Sequence, residues 1–162
     1  MHIHNAIYNT IHKDGISLSR ASGIADFLLL YIKTPTLLQV YENTYTITDP
    51  SVVIISGYTP YKYLSVTKPY CDDYIHFLPR NTDGFLKELH FPLNQPIKIN
   101  NHHLIDPIIQ AICREYYEAT EYVLDIQYHQ MMLLMSRIGE SWSDEHYQNS
   151  AVPYFENLMT IR

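Results

Sequence analysis

The sequence predicts a mainly β domain, a barrel or sandwich of short strands, followed by two C-terminal helices. Three observations predict it. Between about residues 20 and 80, apolar or alternating runs are separated by turn residues at roughly 8–12-residue spacing, as in all-β sandwiches and barrels. After residue 101 the apolar spacing becomes helical. Tyrosine, a strand-favouring residue, occurs 15 times against 5 Phe and 1 Trp.

Residues 1–20 read as an N-terminal arm, with His2, His4 and His12 among Asn, Thr, Asp and Gly; such an arm can close over a pocket. His2-Ile3-His4 could place two imidazoles on one side of a strand, but no nearby carboxylate or Cys completes a ligand set. Phe27-Leu28-Leu29-Leu30-Tyr31-Ile32-Lys33 is nearly all apolar, as expected of a strand buried on both faces. Thr34-Pro35-Thr36 breaks it. Leu37 to Tyr41 and Tyr45 to Thr48, separated by Glu42-Asn43-Thr44, read as a hairpin. Asp49-Pro50 is a turn before the strand Ser51-Val52-Val53-Ile54-Ile55, and Tyr61-Lys62-Tyr63-Leu64 is another short strand.

Residues 72–80 end the β region. Asp72, Tyr74 and His76 alternate with Asp73, Ile75 and Phe77, so a strand sends a carboxylate, a phenol and an imidazole to one face and a mostly apolar set to the other. That polar face fits a binding wall or the solvated face of an edge strand equally well. Asp106-Pro107 marks a helix start, with Asp as N-cap and Pro at the first helical position. A second helix spans about residues 121–137, with Gly139 as its terminator. Its apolar positions exceed one stripe, which fits either a partner surface or a central core helix. Residues 141–150 are polar and read as a linker. Phe155, Leu158, Met159 and Arg162 begin an amphipathic helix.

Composition narrows the function. A net charge of −6, with 11 scattered basic residues, argues against direct grip on a phosphate backbone. Two cysteines cannot build a disulfide framework or a Cys-rich zinc site. The opening residues lack a signal-peptide pattern and no apolar run is long enough for a membrane span, so a cytoplasmic chain is expected.

In order and spacing, the chain resembles the N-terminal effector-binding and dimerisation domain of AraC-family transcriptional regulators over roughly residues 15–162. The stretch Asp73 to Arg80 is similar to that family's aromatic–x–x–Phe–x–Pro segment. Residues 49–57 sit where the family has its Pro-Gly-Asp turn, with Ser51-Val52 replacing Gly-Asp, and residues 155–162 resemble the lead-in to its helix-turn-helix domain. The resemblance implies a cupin/jelly-roll β-barrel at residues 21–100, a helical dimerisation segment at 101–140, and a linker with the start of a truncated DNA-binding domain at 141–162. It implies a small effector, a sugar foremost, a homodimer, and DNA contact only through that further domain. Lys33 sits where such regulators hold a sugar-contacting cation, Tyr63 and Tyr74 where aromatic rings meet the sugar, and Asp72 beside them. Lys for the family's usual Arg gives up the bidentate fork.

If the strand faces carrying Tyr31 with Lys33, Tyr61 with Tyr63, and Asp72 with Tyr74 and His76 all point inward, they line a small-molecule pocket with aromatic walls and few polar groups. His76 fits a supporting hydrogen-bonded group as well as a ligand contact. The dimer surface is expected on Leu124, Tyr128, Met131, Met132 and Met135. No enzyme, cofactor or metal is expected: residues 36–64 hold no His, which removes the usual cupin metal ligands, and no phosphate loop or nucleophile elbow occurs. Two alternatives stay open, a cofactor-free sugar isomerase or epimerase using His76 and Tyr74, and a dimerisation module with a filled barrel.

Overall fold

The computed structural model describes residues 1–80 and 84–150, without the side chains of Leu86 and residues 147–150. Among these residues nine strands form two antiparallel sheets: β1 (His2–His12), β2 (Ser17–Arg20), β3 (Phe27–Ile32), β4 (Thr36–Val40), β5 (Asn43–Ile47), β6 (Ser51–Ile55), β7 (Tyr61–Ser65), β8 (Tyr70–Leu78) and β9 (Ile97–Lys98). One sheet has the order β1-β8-β3-β6-β9 and the other β2-β7-β4-β5. This interleaving of eight strands is the jelly-roll arrangement of the cupin fold. No strand pairing joins the two sheets among the described residues, so they face each other as an open barrel.

The five-stranded sheet is buried on both sides, which explains the continuous apolar runs of β3 and β6. Leu28, Leu30, Ile32, Val53 and Ile55 face the opposite sheet. Leu29, Tyr31, Val52, Ile54, Ile75 and Phe77 face away from it, beneath the two helices α1 (His102–Tyr117) and α2 (Val123–Ser150). Helix α1 presents Ile105, Ile109 and Ile112, all fully buried, at helical spacing. Each such side chain contributes on the order of 2 kcal/mol of burial. The four-stranded sheet has one wet face. Lys62 and Leu64 point outward from β7 while Tyr61 and Tyr63 point inward, the alternation expected of a half-buried strand.

Three sequence expectations are corrected here. The segment expected to be an arm, residues 1–20, instead forms β1, paired along β8, and β2, paired along β7. Ile3 and Ala6, three residues apart across a register shift between Ile3 and Asn5, are both buried beneath the helices. Helix α1 starts at His102, before Asp106, with Pro107 inside it. Burial of Ile105 extends the apolar stripe one turn back, offsetting a proline penalty of about 3 kcal/mol. Residues 141–150, expected as a linker, continue α2 through Gly139 to Ser150. The buried Ser141 hydroxyl donates to Asn101 Oδ1 at 2.6 Å and accepts from the Asn100 backbone N–H at 3.2 Å, fastening this turn to the chain after β9. The expected start of a DNA-binding domain at 151–162 lies outside the described residues.

Gly23 sets the geometry of the β2–β3 connection. Its φ is +68°, and a Cβ there would lie 2.5 Å from the Tyr58 and Thr59 backbone. Only glycine fits both the left-handed backbone and the close approach.

Candidate ligand site between the sheets

A cavity of about 300 Å³ opens between the two sheets. Strand β8 supplies Asp72, Tyr74 and His76, and β7 supplies Tyr61 and Tyr63. The alternation read in residues 72–80 therefore corresponds to an inner wall, and Asp72 and Asp73 face opposite sides of the sheet as the strand period requires. Tyr61 and Tyr63 lie parallel within 9°, with ring centroids 6.4 Å apart. Tyr74 meets His76 edge to face at 5.4 Å.

Asp72 is the chemical centre of this wall. Its carboxylate is 2% exposed. Oδ2 accepts a 2.6 Å hydrogen bond from the Tyr70 hydroxyl. Oδ1 is buried and has no hydrogen-bond partner among the described residues, and neither has the Thr10 hydroxyl, which lines the same cavity. Burial pushes the Asp72 pKa up to about 6 against the opposing Tyr70 hydrogen bond and the His12 charge. Burial also raises the Tyr61 and Tyr63 phenols, which stay protonated donors, and lowers the His76 pKa, which favours neutral imidazole.

Three polar lining residues escaped the sequence reading of the site: Thr10, His12 and Arg20. Thr10 and His12 reach the cavity because β1 slips register between Ile7 and Thr10, where Asn9 has φ +57°. This bulge turns the strand's later side chains to the opposite face. Tyr8, before it, packs beneath the helices. Arg20 stands opposite Tyr61 and Leu18 opposite Tyr63 in the β2–β7 ladder. The alternation Ile16, Leu18, Arg20 was visible in the sequence and could have pointed to them.

Two expected ligand residues are displaced. Tyr31 and Lys33 follow Leu29 onto the helix-facing side of β3 and do not line the cavity. Lys33 Nζ pairs with Asp73 Oδ1 at 2.9 Å and donates to Asn9 Oδ1 at 3.0 Å. The Asn9 backbone N–H donates to the same Asp73 oxygen at 2.7 Å. Lys33 also lies over the Tyr8 ring, 4.5 Å from its centroid. This cluster neutralises a fully buried carboxylate and fastens the β1 bulge to β8. Burial disfavours the Lys33 ammonium, but the hydrogen bond and charge of Asp73 outweigh it and raise its pKa.

The expected dimer set is also divided. Met131 and Met135 belong to the core beneath the sheet and are not surface groups. Tyr128 and Met132 are half-buried against that core, while Leu124 is exposed. Leu133, one turn from Tyr128's neighbour His129, is exposed as well.

Among the described residues, no three His, Cys, Asp or Glu side chains are grouped to hold a metal ion. Within the same residues no helix is long and apolar enough to cross a membrane.

No family model matches the chain. No curated protein matches it in sequence. The solved structures similar to it include a Cupin_2 domain of an XRE family transcriptional regulator from Enterobacter cloacae, at 15% identity and TM-score 0.38, covering 44% of this chain and 79% of that one. They include an HTH_3 family transcriptional regulator from Vibrio cholerae, at 12% identity and TM-score 0.38, covering 44% of this chain and 42% of the regulator. They also include FeII HppE in complex with substrate, at 10% identity and TM-score 0.35, covering 43% of each chain. The chain thus spans under half of the Vibrio regulator and of HppE. The expectation of a non-enzymatic domain is corrected by the last of these. The cupin fold includes enzymes, so the fold gives no ground for setting catalysis aside.

Proposed function

We propose that this chain is a ligand-binding domain whose inter-sheet cavity holds a small polyhydroxylated molecule, with sugars as the first class to test. Binding there regulates a separate DNA-binding domain of an AraC-type regulator, and a second copy of the chain pairs on the outward side of α2 near Leu124 and Leu133. The observation that carries the binding reading is Asp72, a carboxylate 2% exposed with one oxygen unpartnered in an aromatic-walled cavity. An acceptor left without a donor in such a place costs about 1–3 kcal/mol. A ligand hydroxyl answers it, while the Tyr61, Tyr63 and Tyr74 rings offer apolar faces with polar tips. The motif resemblance at residues 73–80 and 155–162 supports the regulatory part.

A thermal-shift and calorimetric screen of pentoses, hexoses and their oligomers tests this reading. A saturable shift lost in Tyr74→Ala and Asp72→Asn supports it. A shift unchanged in both variants places the ligand elsewhere.

A further inference from the structure

The polar groups of the cavity are divided between two ends, and from that division we propose that the ligand is a hydroxy acid, with the sugar acids as the matching class. The proposal deepens the binding reading above and rests on it.

One end holds a buried carboxylate oxygen that needs a donor. Asp72 Oδ1 is buried and unpartnered, and the Thr10 hydroxyl beside it in the β1–β8 ladder is unpartnered too. An ionised carboxylate has no proton to give, so the group that meets Asp72 must donate, as a hydroxyl does.

The other end carries a cation. Arg20 lines the cavity opposite Tyr61, and its charge acts on Tyr61, Tyr63 and His76. It forms no ion pair among the described residues. Its hydrogen bond there is a long one, from Nη1 to the Ser19 carbonyl at 3.4 Å. Lys33, by contrast, is neutralised by Asp73 on the far side of the sheet. The guanidinium fork of Arg20 is therefore available to a ligand carboxylate, which it binds in two parallel hydrogen bonds.

The ends are set apart. Asp72 and His76 are four residues apart on β8, roughly 13 Å along the strand at 3.3 Å per residue. Between them the Tyr61 and Tyr63 rings offer flat faces to a CH-rich ligand ring. A neutral sugar would satisfy Asp72 and Thr10 and leave Arg20 to solvent. A simple carboxylate would satisfy Arg20 and leave Asp72 Oδ1 unpartnered. A molecule with hydroxyls at one end and a carboxylate at the other meets both, and a cavity of about 300 Å³ suits a small one.

Calorimetric titration at pH 7.5 tests this with D-glucuronate and D-gluconate as acids, D-glucose and D-glucitol as neutral counterparts, and acetate as a carboxylate without hydroxyls. The acids are expected to bind at least about tenfold tighter than their neutral counterparts, one charge-assisted pair being worth that much. Arg20→Gln should erase the difference between the acids and their neutral counterparts with the melting temperature unchanged, and Arg20→Lys should keep part of it. Neutral probes binding as well as the acids, with both lost in Asp72→Asn, would overturn the hydroxy-acid class and leave the cavity reading intact. Acetate binding as tightly as the sugar acids would overturn the hydroxyl requirement. Failure of every probe to bind would overturn the proposal together with the sugar reading beneath it.

Discussion

Replacing Asp72 with Asn separates the stability of this fold from its binding. The Asp72 pKa is raised from 3.8 to about 6, mainly by burial. A shift of that size corresponds to about 3 kcal/mol, at 1.36 kcal/mol per pKa unit. Because the folded pKa lies above the unfolded one, the contribution favours the native state below pH 3.8 and is lost as pH rises through 6. At pH 7.5 the ionised carboxylate is therefore a burden on the native state. Asn removes the charge and weakens the Tyr70 hydrogen bond, a loss of about 1 kcal/mol. The variant should gain about 2 kcal/mol at pH 7.5 and lose about 1 kcal/mol at pH 3.5, while ligand binding falls. Urea denaturation at the two pH values, read by tyrosine fluorescence and circular dichroism, measures both differences. A variant less stable than the parent at both pH values by the same amount would refute the reasoning, since Asp72 would then be a purely structural acceptor.

Lys33→Met leaves Asp73 charged and buried without its cation, so unfolding should require about 3 kcal/mol less, with calorimetric ligand affinity unchanged because Lys33 lies outside the cavity. Gly23→Ala should lower stability by at least about 2 kcal/mol in urea, through the positive φ and the Thr59 backbone contact. Sedimentation of the chain at micromolar concentration should give a dimer that Leu133→Glu converts to monomer; a monomeric parent would remove the pairing of α2 helices from the account.

The strand parity that defines the candidate site was legible, and its direction was not. Period-two alternation groups Asp72 with Tyr74 and His76, and Tyr61 with Tyr63, whatever the surroundings. It carries no label for inside or outside when a sheet is buried on both faces. In β3, Leu28 and Leu30 are as apolar as Leu29 and Tyr31, so nothing in the run opposed the position of Lys33 implied by the family resemblance, which took Tyr31 with it to the wrong face. The polar composition of residues 1–20 concealed two strands, because β1 is specified by its ladder with β8, some 70 residues along the chain, and by a bulge at Asn9 that interrupts its alternation. Thr10, His12 and Arg20 were lost with it. The helices were legible in kind and spacing. Their ends were not, since Pro107 and Gly139 lie inside elements held by buried Ile105, Ile138 and Ser141. Met131 and Met135 read as a dimer surface for the same reason: an apolar helix is the same in sequence whether its cover comes from its own sheet or from a second chain.

The central claim is that a small molecule binds between the sheets, and methyl NMR tests it most directly. The Ile16, Ile24, Leu28, Leu30 and Thr10 methyls line the cavity, whereas those of Leu29, Ile54 and Ile109 lie on the far side of the sheet beneath the helices. Titration with the tightest-binding sugar or sugar acid is predicted to shift the first set in a saturable way and leave the second near its starting positions. Shifts concentrated on Leu29, Ile54 and Ile109, or on Leu37 and Leu64 of the outer sheet face, would contradict the account.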